Sequence, residues 1–215
     1  MTTTDKAVKG TKNQIGKLFY TPIESDEFIQ KLKTTDDTKI AIFLMFVNLG
    51  LRKGELLALQ WQDIDLQNKT IRIHQAVDFD QLNKPYIKVT KNQYERTLDI
   101  DDETLQALFK WQELQAEQLK LQNLEHQGEK QLIFTNSKNT FYNNYKLITW
   151  LKKFQTQHAL KLVPVHGLRH TCAARMYYQT KDVEFIQQLL GHTNIKTTID
   201  LYIHCVPELG DILVK

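Results

Sequence analysis

Thr70-Ile71-Arg72-Ile73-His74 alternates polar and apolar side chains, and so do Tyr86-Ile87-Lys88-Val89 and Arg96-Thr97-Leu98-Asp99-Ile100. A period of two is the signature of a half-buried strand. Asn68-Lys69, Asn83-Lys84-Pro85 and Asn92-Gln93 supply turn residues between or beside these runs. The three runs predict a small antiparallel sheet of three strands.

On both sides of this stretch the pattern is helical. Upstream, Thr21-Pro22-Ile23-Glu24 is a start signal: a capping hydroxyl, a proline for the first helical position and a glutamate to complete a capping box. A second helix is predicted over about 38–48, stopped by Gly50, and a short one over 55–59. Downstream, Asp101 caps a helix over about 102–122. A short strand at 132–134 and helices near 142–158, 166–179, 182–190 and 195–203 follow. No internal repeat and no Pro/Gly-rich linker divides the chain. The expectation is an α+β fold, mainly α-helical: one domain over 18–215, with a tail at 203–215 and the small sheet at one edge. Residues 1–17 are polar and without periodicity, and are expected to be a flexible lead-in.

Composition sets the class. Of 215 residues, 41% are hydrophobic and 25% charged, as in a globular protein. The longest apolar run, residues 40–51, suits a buried core helix and falls short of a membrane span. The first residues lack the apolar stretch of a secretory signal, so a cytoplasmic protein is expected. Cys172 and Cys205 are too few for a disulfide framework or a metal cluster and read as buried thiols. The net charge is +3, but residues 130–215 hold 11 Lys/Arg against 5 Asp/Glu, whereas residues 1–129 hold 17 against 20. A basic C-terminal part permits a polyanionic partner.

Four places could carry chemistry. His166-Gly167-Leu168-Arg169-His170-Thr171 opens a helix after Pro164, and a helical turn puts His166 and Arg169 on one face. An Arg fork and free backbone N–H groups at a helix N-terminus make a phosphate-binding surface, although a solvated polar turn has the same composition. Gly191-His192 reads as a helix cap or as a site histidine, and Tyr202 as half-buried packing or as a nucleophile. Arg52 stands at a backbone corner between two helices, where Glu55 could lie beneath it and fix its fork. Lys91 stands at the turn between the second and third predicted strands.

Taken in order, Arg52, Lys91, His166-x-x-Arg169, Gly191-His192 and Tyr202 resemble the tyrosine recombinase family, the phage- or conjugative-transposon-type integrases. GLRKGELLALQWQDID, HGLRHTCAA and LLGHTNIKTTIDLY also look like family signatures, and the similarity runs from about residue 21 to the C-terminus. The resemblance implies the recombinase catalytic-domain fold and DNA strand cleavage and rejoining through a 3′-phosphotyrosyl link. Tyr202 would be the nucleophile, and Arg52 and Arg169 the clamps on the phosphate. His166 would accept the phenolic proton or orient the phenol, His192 would donate a hydrogen bond to the phosphate, and Lys91 would be the general acid. No cofactor and no metal is expected, because two guanidiniums can do a metal's electrostatic work. The implied partners are double-stranded DNA and further copies of the chain, a tetramer on DNA and a monomer without it, in the cytoplasm of a bacterial host. Members usually carry an N-terminal helical domain that closes around DNA, so the chain is expected to be a fragment or a minimal member. Competing expectations are a type IB topoisomerase or resolvase-like enzyme, a non-cleaving DNA-binding relative and a plain helical scaffold.

Overall fold

The computed structural model describes residues 18–82, 84–89 and 95–192. Helix α1, Pro22–Leu32, begins with the expected capping box: the Thr21 hydroxyl accepts from the Glu24 N–H, and the Glu24 carboxylate accepts from the Thr21 N–H. Helix α2, Asp37–Leu49, is capped by Asp36 and closed by Gly50 in the left-handed conformation. Every side chain from Ala41 to Val47 is buried. A helix apolar on all sides must be surrounded, and α2 is the centre of the core. Phe28 of α1 and Phe43 of α2 join an aromatic row in which Trp150 stacks on Phe43 and on Phe154, each at 4.9 Å.

Five more α-helices follow among the described residues. They are α3, Lys53–Ala58; α4, Asp102–Leu121, capped by Asp101 as expected; α5, Asn144–Gln157; α6, Val165–Thr180; and α7, Val183–Leu190. No helix among the described residues is long and apolar enough to cross a membrane.

The strands correct the expected sheet. The runs around 70 and 96 do pair, but directly with one another: β2, Thr70–Ile73, runs antiparallel to β5, Arg96–Asp99, with Ile73 opposite Arg96. The third member is the two-residue β1, Ile64–Asp65, so the order is β1-β2-β5. The run around 86 instead forms β4, Pro85–Val89, in a separate ribbon with β3, Gln75–Phe79. The sequence hid β3 because a glutamine fills one of its buried positions. Gln75 is satisfied there by donating its amide to the Ala58 carbonyl at 2.7 Å. The expected strand at 132–134 is likewise reduced to single bridges, Gln60 to Leu132 and Thr135 to Phe141. The expected lead-in at 1–17, the turn bearing Lys91, the helix at 195–203, Tyr202, Cys205 and the tail lie outside the described residues.

Candidate active site

The corner between α2 and α3 is built first. Gly50 ends one helix, and Arg52 has extended backbone at the N-cap of the next. Glu55, three residues into α3, reaches back. Its Oε2 accepts from the Arg52 backbone N–H at 2.8 Å, and its Oε1 accepts from Arg52 Nη1 at 2.8 Å. Glu55 thus lies under the Arg52 fork, as expected from the sequence.

The same carboxylate holds a second guanidinium that sequence reasoning passed over. Arg96, the first residue of β5, donates Nη2 to Glu55 Oε2 at 2.8 Å and Nη1 to Oε1 at 3.1 Å. Burial of Glu55 works to raise its pKa. The bonds and charge of Arg96, then the backbone bond and charge of Arg52, overcome this and bring it from 4.5 down to about 2.

Arg169 comes from the second turn of α6. This helix starts at Pro164, and the chain at Leu18 crosses its first turn so closely that a Cβ on Gly167 would lie 1.9 Å from the Leu18 carbonyl oxygen. Only glycine fits there, between His166 and Leu168. Arg169 is 2% exposed. Its Nη1 donates to the Gly50 carbonyl at 2.6 Å and its Nη2 to the Leu190 carbonyl. Burial first, and repulsion by Arg52 second, depress its pKa to about 9, so it stays a cation at neutral pH.

The three guanidiniums meet at one place, the C-terminal end of α7. The carbonyl of Leu189 accepts from Arg96 Nε at 2.9 Å, that of Leu190 from Arg169, and that of Gly191 from Arg52 Nη2 at 2.9 Å. The last carbonyls of a helix lack partners within it and carry the negative end of its dipole. Here three arginines from three parts of the chain supply the donors. Gly191 turns the backbone at φ 63°, and a Cβ there would press on the Arg96 guanidinium at 3.1 Å. His192 follows directly.

Among the described residues these three cations share one carboxylate, so the site holds a surplus of positive charge. That charge acts on the histidines. His192 is depressed to about 4 by burial and then by Arg169, Arg52 and Arg96. His166 is lowered by burial and then by Arg169, Arg52 and Lys53. His170, edge-to-face with His166 at 4.6 Å between centroids, is also depressed to about 4, by burial and then by His166. Its buried Nδ1 has no hydrogen-bond partner among the described residues. At neutral pH His170 and His192 are therefore neutral bases inside a cationic site.

The structure thus brings together Arg52, Glu55, Arg169 and the Gly191-His192 turn, with His166 close enough to share their field. Lys91 and Tyr202 lie outside the described residues. Sequence reasoning missed Arg96 and gave His170 no role. A signal for Arg96 was present, because it occupies the same alternating register as Leu98 and Ile100, both buried.

Residues 12–208 match the model of the phage integrase family, and the chain belongs to that family of tyrosine recombinases. It is 30% identical to the XerC-like tyrosine recombinase of Caldanaerobacter subterraneus subsp. tengcongensis over 86% of this chain and 50% of that one. It is 29% identical to the ICEBs1 integrase of Bacillus subtilis over 88% of this chain and 51% of that protein. The chain therefore spans about half the length of these curated relatives. Among solved structures, the Tn1549 transposon integrase in complex with transposon right end DNA matches 93% of this chain and 67% of its own, with a TM-score of 0.71 at 18% identity. The XerA recombinase matches 84% of this chain and 58% of its own, with a TM-score of 0.66 at 22% identity. These likenesses establish the fold as that of tyrosine recombinase catalytic domains.

Proposed function

We propose that residues 18–215 are the catalytic domain of a site-specific DNA recombinase that cuts and rejoins double-stranded DNA through Tyr202. The observation that carries this reading is the surplus of guanidinium over carboxylate at one buried corner. Arg52, Arg96 and Arg169 stand against Glu55 alone, in a member of a family whose solved relatives include DNA complexes. A cationic site with a deficit of counter-charge is built for an anion that arrives from outside, and a phosphodiester fits it.

The reaction then runs as a transesterification. Tyr202 loses its phenolic proton, to His166 or to solvent with His166 orienting the phenol, and the phenolate oxygen attacks phosphorus. A phenol with an ordinary pKa of about 10 needs the positive field that the site supplies. Negative charge gathers on the non-bridging oxygens, where Arg52 and Arg169 stabilise it and His192 donates a hydrogen bond. The bond from phosphorus to the 5′ oxygen breaks, and Lys91 protonates that oxygen. One ester replaces another, so nothing is oxidised, the 3′-phosphotyrosyl link keeps the bond energy and rejoining needs no ATP. The guanidiniums carry the electrostatic role without a metal. On DNA the chain assembles as a tetramer and off it remains a monomer, in the cytoplasm of a bacterial host.

The test is covalent trapping. The protein is mixed, in chelator, with a pool of nicked duplexes randomised across the core, and run on a denaturing gel. An adduct that Tyr202→Phe abolishes is expected, and sequencing the trapped strands gives the preferred site. If retarded complexes form on a native gel without any adduct, the chain is a non-cleaving DNA-binding relative. Relaxation of supercoiled plasmid without exchange between two sites would make it a topoisomerase.

A further inference from the structure

Arg96 stands outside the phosphate-contacting set just described, yet it bonds both the carboxylate beneath Arg52 and the end of α7. Its side chain is 9% exposed. Two of its nitrogens hold Glu55, and the third holds the Leu189 carbonyl two residues before Gly191. All three nitrogens bond protein, which places Arg96 to hold the site together. We propose that Arg96 is a positioning residue for the reaction above: it keeps Glu55 from quenching Arg52, and it fixes the end of α7 that presents His192. The inference rests on the recombinase reading.

Two physical points support it. First, a buried carboxylate facing a single guanidinium forms a closed pair, and that pair has little attraction left for a third charge. Glu55 instead faces two, so Arg52 keeps part of its charge unneutralised while Oε1 still orients its fork. The Arg52 side chain is 40% exposed, so the oriented, part-neutralised fork has a face open to solvent. Second, Gly191 lies against the Arg96 guanidinium, 3.1 Å from an ideal Cβ position to Nη1. The planar fork thus serves as the wall on which the turn before His192 rests. A lysine would retain the charge but cover neither Glu55 oxygen and the Leu189 carbonyl together nor the same flat surface.

The test uses Arg96→Lys, Arg96→Gln, Arg52→Lys and the double variant Arg52→Lys/Arg96→Gln, with the duplex recovered from the trapping pool. Single-turnover cleavage, duplex affinity and thermal melts are measured for each. We expect cleavage by R96Q to slow about 100-fold and by R96K about 10-fold, with duplex affinity within about threefold, since many phosphates share the binding. The double variant should be within about threefold of R52K alone, because Arg96 acts through the group that holds Arg52. In the ¹H–¹³C NMR titration of His192, R96Q should raise the midpoint and R96K should leave it near that of the parent. Cleavage by R96Q within threefold of the parent overturns the proposal. So does a double variant whose losses multiply, or a rate loss explained by unfolding or by weakened duplex binding. Should R96Q fail to fold, R96K decides by its rate and by its own double variant with R52K. A parent protein that forms no adduct at all sinks the recombinase reading instead, and His192 titration then tests Arg96's hold on the turn alone.

Discussion

Replacing Glu55 by glutamine changes one charge and almost no volume, at the carboxylate where Arg52 and Arg96 meet. Bringing a carboxylate from 4.5 to about 2 corresponds, at 1.36 kcal/mol per pH unit, to about 3 kcal/mol of folding stability. Removing one partner of a buried pair costs roughly 3–5 kcal/mol by a separate route, so the two figures agree. E55Q should therefore be less stable than the parent by about 3 kcal/mol at pH 7, a fall in Tm of roughly 6–12 °C for a domain this size. The sign of the pH dependence follows from the direction of the shift. A depressed carboxylate contributes in full above its unfolded value of 4.5, and the contribution fades as pH falls towards 2. The gap between parent and E55Q should thus be constant from pH 8 to about 5 and close below it. Urea melts at a series of pH values read this directly, and the histidines cancel in the difference. A gap below 1 kcal/mol at neutral pH, or one that is undiminished at pH 3, would refute the picture of Glu55 as the shared counter-charge.

His170 and His192 should titrate near pH 4 in the folded protein, so stability is full above about 6.5 and falls as pH drops towards 4, where the unfolded chain binds protons first. Imidazole resonances with midpoints at 6.5 would disprove their burial in a cationic field. Gly167→Ala should cost about 3 kcal/mol, because the methyl group meets the Leu18 carbonyl and the crossing chain must move; a melt within 0.5 kcal/mol of the parent would show that the crossing is loose. Arg169→Lys keeps a cation but can reach only one of the Gly50 and Leu190 carbonyls, so a buried acceptor is stranded. A loss of about 2 kcal/mol is expected in chemical denaturation, and an unchanged midpoint would argue against that bridging role.

Much of this was legible in the sequence because the local signals were strong. The capping box at Thr21 and Glu24, Asp101 before α4 and Gly50 after α2 each act within a few residues, so pattern alone locates the helix ends. Glu55 beneath Arg52 was readable for the same reason, three residues apart on one turn. What escaped was long-range or polar where apolar was expected. Gln75 occupies a buried strand position by bonding to Ala58, and alternation scoring saw a break where the chain continues as β3. Arg96 fills an apolar register because its counter-charge lies 41 residues earlier, a relation that no window of sequence contains. The order of the signature residues pointed to the family, but not to the way three arginines divide the carbonyls of one helix end.

That division has a consequence for how the protein folds. Arg52 reaches Gly191 across 139 residues, Arg96 reaches Leu189 across 93, and Arg169 joins Gly50 across 119. Each bond closes a long loop, whose entropy must be met before the contact repays it. A chain with helices formed but these loops open keeps the Arg52–Glu55 pair of a single turn, while Arg96, Arg169 and the end of α7 stand apart from it. The full cationic corner therefore needs all three closures, and it exists only where β5, α6 and the end of α7 have been brought to the corner between α2 and α3.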